Sequence, residues 1–202
     1  MGRRTEVTST RSRKLCLAQQ PDADEMLSRD PFALLVGMLL DQQIPMEKAF
    51  SSPYVVKQRL GKDLDARELA EMDPDELTAI FAKPPALHRF PKAFAKKTQD
   101  LCQVLVDSYD GDASRLWSDA KDGKDSVARV GQLPGFGKQK SQIFVALLAK
   151  QFDVQPKGWR EATGAYGEKG SFRSVADITD ESSLGKVREY KKAMKAAAKE
   201  GV

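Results

Sequence analysis

The chain has 202 residues, 41% of them apolar and 31% charged, which supplies one core or two small lobes and excludes wholesale disorder. Its 33 basic and 29 acidic side chains leave a net charge of +4, mildly basic and far from a histone-like tail. Two cysteines, Cys16 and Cys102, and one histidine, His88, exclude a disulfide framework, a four-cysteine iron–sulfur site and the ordinary zinc sites within the chain.

Residues 1–14 carry five basic side chains and one acid and are expected to form a loosely held arm. A helix is predicted from Asp30-Pro31, where Asp30 can cap and Pro31 suits the first helical position. Phe32, Leu35, Val36, Leu39 and Leu40 then repeat at helical spacing. Pro45 interrupts just after Gln42-Gln43, so this helix ends at a polar knuckle and another starts. Residues 54–60 read as a short helix stopped by Gly61. Asp65 and Asp73-Pro74 open two more helices in an acidic stretch, and Pro84-Pro85 breaks the chain. Pro91 opens a helix through about residue 108, with Phe94, Thr98, Leu101, Cys102 and Leu105 on one face.

Residues 114–119 and 126–130 are short helical pieces, and 138–152 is a stronger helix carrying Ile143, Phe144, Leu147 and Leu148. The glycine-rich stretch 154–172 reads as mostly loop. Asp180 is expected to cap a last helix with Leu184, Val187, Tyr190 and Met194 as its buried stripe. No internal repeat and no segment with the period of a strand is found. The fold expected is all-α, with about nine or ten short helices.

The informative segment is Gln132-Leu133-Pro134-Gly135-Phe136-Gly137-Lys138-Gln139-Lys140-Ser141, with a short helix before it and a long one after. Gly135 and Gly137 permit positive φ and close approach of the backbone. Successive N–H groups then point outward where a helix N-terminus supplies positive potential, and Lys138 and Lys140 sit beside them. A phosphodiester suits such a site, with Leu133 and Phe136 anchoring the turn.

This turn between two helices is a helix-hairpin-helix motif, and with it the chain resembles the helix-hairpin-helix (HhH-GPD) DNA glycosylase superfamily. A second match lies about 90 residues upstream. The run from Asp30-Pro31-Phe32 to Leu40-Asp41-Gln42-Gln43 resembles the family's helix that ends in glutamine at the DNA wedge. The resemblance covers roughly residues 30–160. It implies two helical lobes facing each other across a DNA-binding cleft. One is a helical barrel of residues 30–150; the other combines residues 1–29, which include the basic arm, with residues 151–202. It also implies a damaged nucleotide rotated out of the duplex. Leu133, Gly135, Gly137, Lys138, Gln139, Lys140 and Ser141 would hold the DNA backbone, and Gln42 would be the wedge with Gln43 nearby. The partner implied is damaged double-stranded DNA, met by a monomer in the cytoplasm (at the nucleoid in a bacterium), with no membrane involved.

The chain departs from the family in three places. Gln139 stands where bifunctional members carry their lysine nucleophile, so Schiff-base lyase chemistry is not expected. Lys157, Gly158 and Trp159 stand where the family places its aspartate. The nearest carboxylates in sequence are Asp153 and Glu161; Asp41, which borders the wedge, is the first candidate for the catalytic role. No cysteine follows Cys102, so no iron–sulfur cluster is expected and no cofactor beyond a monovalent cation that the hairpin could take. Trp159 could stack on a flipped base or simply pack the lobe. His88 is expected in a surface loop, and the bases of residues 186–199 on a solvated helix face.

Three functions stay open on the sequence. The first is a base excision repair hydrolase: a monofunctional glycosylase that cuts the N-glycosidic bond of a flipped damaged base. An alkylpurine suits it best, because a cationic leaving base needs little acid help. The second is a catalytically silent damaged-DNA-binding protein of the same fold, favoured by the missing aspartate. The third is a helical protein–protein adaptor.

Overall fold

The computed structural model describes residues 15–200, so the basic arm of residues 1–14 lies outside the described residues. Among the described residues the chain is all-α, with no strand. The helices are α1 (Pro21–Arg29), α2 (Pro31–Leu40), α3 (Met46–Leu60), α4 (Ala66–Glu71), α5 (Pro74–Ala82), α6 (Pro91–Tyr109), α7 (Arg115–Ser118), α8 (Gly123–Gly131), α9 (Lys138–Gln151), α10 (Trp159–Thr163) and α11 (Glu181–Glu200). Two 3₁₀ turns, Gly164–Gly167 and Val175–Asp177, lie between α10 and α11.

Helix α2 begins as its sequence dictates. The Asp30 carboxylate accepts from the N–H groups of Phe32 at 2.9 Å and Ala33 at 3.1 Å, a cap worth about 1 kcal/mol. Every residue from Phe32 to Leu40 is buried, because α2 is apolar all round and runs through the core. It packs against α1, α3 and α6. The caps at Asp65 and Asp73 form as expected. Gln99 of α6 reaches back to the Met72 carbonyl at 2.6 Å and so ties α4 to α6.

The sequence reading missed α1, which the Asp24 carboxylate ties to the preceding irregular segment through the N–H groups of Leu17 and Ala18, both at 2.8 Å. It also read residues 54–60 as a short helix of their own, whereas α3 is continuous from Met46 to Leu60, with Pro53 inside it. Proline in a helix interior costs about 3 kcal/mol. Here the cost is offset by burial of Ala49, Phe50, Pro53 and Val56 on that face. The glycine-rich loop holds α10 and a 3₁₀ turn. Met194 is 52% exposed rather than buried, because α11 outruns the body that covers Leu184 and Val187.

Helix α9 is the second central helix, buried from Phe144 to Ala149. Helices α8 and α10 pack on it and on each other. Gly123, the first residue of α8, meets the α10 backbone so closely that a Cβ would lie 2.4 Å from Trp159 Cα. At the far end of α9, Lys150 pairs with Asp177 at 2.6 Å, and Gln151 donates to the carbonyls of Ala176 at 3.1 Å and Ile178 at 2.9 Å.

Candidate nucleic-acid interface

Helices α8 and α9 and the turn between them form a helix-hairpin-helix element. Phe136 N–H donates to the Leu133 carbonyl at 3.0 Å across Pro134-Gly135, with Gly135 at φ +80°. Proline second and a positive-φ glycine third is what a type II turn requires. Gly135 is also hemmed in: a Cβ there would lie 2.4 Å from Leu39 Cδ1 of α2. Leu133 and Phe136 are buried and seat the turn on the core.

Gly137 differs from the expectation. Its φ of −105° and ψ of −179° are extended backbone, and a Cβ there would meet nothing within 4 Å. The turn obtains its one left-handed residue from Gly135, so Gly137 has only to cap α9. Among the described residues, the N–H groups of Gly135, Gly137, Lys138 and Gln139 donate no hydrogen bond, and all four residues are exposed. The Lys138 side chain is free of ion pairs among the described residues, whereas Gln139 donates to the Tyr166 hydroxyl at 2.7 Å.

Two residues expected on phosphate turn inward. Ser141 is buried, its hydroxyl donating to the carbonyls of Lys138 at 2.9 Å and Gly137 at 3.1 Å. The Lys140 ammonium donates to the carbonyls of Met38 at 2.8 Å, Leu39 at 3.2 Å and Asp41 at 3.4 Å. It therefore caps the C-terminal end of α2, where carbonyls lack helical partners and the dipole is negative. Burial pushes the ammonium down to about 8 despite the nearby Asp41 charge.

The knuckle after α2 thus lies against the hairpin. Gln42 Nε2 donates to the Leu39 carbonyl at 2.9 Å and faces the Gly135 carbonyl at 3.4 Å. Gln43 is exposed and left-handed, with φ +56°. His88, expected on the surface, is 1% exposed. Its Nε2 meets the Gln42 carbonyl at 2.7 Å, its Nδ1 accepts from Phe90 N–H at 3.1 Å, and its ring stacks on Phe94 at 3.6 Å. Those two bonds require the neutral ring with its proton on Nε2. Burial lowers the affinity of His88 for a second proton, and the charges of Lys48, Lys97 and Arg89 act the same way.

Asp41 ends α2 at the centre of this cluster. Burial pushes its carboxyl above the ordinary carboxylate range, against the pull of Lys191 and Lys140. The other carboxylates named from the sequence are elsewhere. Asp153 is exposed beyond the far end of α9, and Glu161 is exposed on α10. Trp159 is 5% exposed under the Arg160 guanidinium, at the opposite end of α8 from the turn. The structure therefore brings Asp41, Gln42, Gln43, Gly135 and Lys138 to one region and leaves Trp159, Asp153 and Glu161 outside it. Among the described residues no group of three His, Cys, Asp or Glu side chains could hold a metal ion.

No protein-family model and no curated protein matches the chain. Among solved structures it is similar to a trapped endonuclease III–DNA covalent intermediate, an estranged-adenine complex, at 21% identity and a TM-score of 0.45. That likeness covers 67% of this chain and 61% of the endonuclease III chain.

Proposed function

We propose that the chain binds damaged duplex DNA through the α8–α9 hairpin and the knuckle of residues 41–43, and that it hydrolyses the N-glycosidic bond of a flipped base. The observation that carries this reading is the junction itself. Exposed, unpaired amides at Gly135, Gly137, Lys138 and Gln139 are held against the knuckle by Gln42 and Lys140. The amides and Lys138 take phosphate oxygens. Gln43, exposed beside them, enters the gap left by the flipped nucleotide. Lys140 has no phosphate role in this reading, because the α2 carbonyls occupy its protons.

The bond between the base and the sugar C1′ breaks with its electron pair leaving on the base. Positive charge develops on the sugar, and water adds to C1′ and gives up a proton. A carboxylate in a water-poor site stabilises that charge, and this reading gives that role to Asp41, whose burial beside the knuckle supports it. Gln139 offers no amine, so no covalent adduct forms at an abasic site and borohydride traps nothing.

The test is base release from a panel of lesion duplexes, alkylpurines included, alongside duplex affinity at several salt concentrations. Wild type is expected to bind with steep salt dependence. It should release at least one lesion, and Asp41→Asn should slow release about a hundredfold with affinity nearly unchanged. Binding without release of any lesion would make the protein a silent damage binder. Absence of salt-sensitive duplex binding would overturn the DNA reading altogether.

A further inference from the structure

Helix α11 leaves the body of the protein beside the knuckle. Arg188 is ion-paired with Glu47 in the first turn of α3, which places this part of α11 next to residues 43–46. Beyond that pair the helix is uncovered: every residue from Lys191 to Ala198 is exposed. Between Lys186 and Ala198 it carries five basic side chains against one acid, Glu189. At about 100° per residue, Arg188, Lys191, Lys192 and Lys195 fall within about one quarter of the circumference. They form a stripe that starts at the knuckle and runs outward. A solvated helix normally intersperses both signs, and such surface pairs support it. Among the described residues this stripe carries no acid of its own between Lys186 and Ala198; Glu47 pairs with its first member, and the Asp41 charge acts on Lys191 at its inner end.

We infer that the basic stripe of α11 is a second contact for duplex DNA, in which Lys191, Lys192 and Lys195 follow the phosphate backbone away from the knuckle. The inference rests on the proposed function, because the stripe is continuous with the interface that reading assigns. Two things select the occupant. A row of cations one helical turn apart complements a row of phosphates, and its inner end lies at the knuckle, which Gln42 joins to the hairpin. The stripe lengthens the footprint to one side of the damaged nucleotide, so binding depends on duplex length on that side only.

The experiment compares wild type, Lys192→Glu/Lys195→Glu and Lys138→Glu. Each is checked for unchanged helicity and melting temperature, which the exposure of these positions favours. Duplex affinity is measured against salt, with duplexes extended on one side or the other of a central abasic site. The α11 variant is expected to lose about 10- to 100-fold in affinity and to flatten the slope of log K against log salt by about 2. It should also lose the gain that wild type shows on one-sided extension. An unchanged slope and unchanged length dependence in the α11 variant, with Lys138→Glu impaired, would overturn this inference and leave the proposed function standing. A wild type that ignores duplex but binds anionic vesicles would overturn both, and would assign the stripe to a membrane surface.

Discussion

At the scale of single residues, the two hairpin glycines are unequal. Gly135 combines positive φ with contact against Leu39, whereas Gly137 has extended backbone and open space. Gly135→Ala should therefore destabilise the protein by about 2–4 kcal/mol, from left-handed strain plus overpacking. Gly137→Ala should stay within about 0.5 kcal/mol of wild type, and chemical denaturation of the two variants checks the contrast. Asp41 supplies a second expectation. Its carboxyl is raised above the ordinary value of 3.8 because burial disfavours the charge. The folded state therefore bears that cost above the raised pKa and is free of it below 3.8. Asp41→Asn should raise the melting temperature at pH 7, and the gain should vanish towards pH 3.

At the scale of elements, the C-terminal end of α2 depends on a side chain from α9. Lys140 holds the carbonyls of Met38 and Leu39 in α2 and of Asp41 just after it, and burial lowers it from 10.5 to about 8. Between those values the unfolded chain binds the extra proton, so stability contributed by this residue rises with pH from about 8 to about 10.5. Lys140→Met should remove that rise, as melting curves across the interval will show. The elements themselves were legible wherever capping chemistry is local. Asp30, Asp65 and Asp73 announced α2, α4 and α5, and Leu133-Pro134-Gly135 announced the turn. Lys140 and His88 were not legible, because their partners at residues 38–42 lie far away in sequence and a basic residue in a polar run reads as a solvent or phosphate contact. The continuity of α3 through Pro53 was not legible for the same reason: burial against a neighbouring helix, which a local pattern does not record, overrides proline's propensity.

At the scale of the whole molecule, α9 is the beam to which the other parts are fastened. Its first turn meets α2 through Lys140, and its last turn meets the 3₁₀ turn before α11 through Lys150 and Gln151. Asp177 is almost completely buried and also accepts from the N–H groups of Arg173 at 2.8 Å and Ser174 at 3.1 Å. Lys150→Met strands that carboxylate and should cost about 3 kcal/mol, read by denaturant unfolding. Of the candidate site, the sequence motifs located Asp41, Gln42, Gln43 and the hairpin, which the fold does bring together. Trp159 and the distal carboxylates were placed by spacing alone, and spacing does not say which end of a helix a loop returns to. The anchoring of Lys140 and Gln42 has a consequence for selectivity. Immobilising a long side chain during association costs about 0.5–1.5 kcal/mol, and these two are already fixed when the protein folds. Gln42 and Lys140 tie the hairpin to the knuckle before any partner arrives. In the proposed complex the deformation falls on the nucleic acid, so a duplex already bent or unstacked by damage matches this arrangement more cheaply than a straight one, before any base is read.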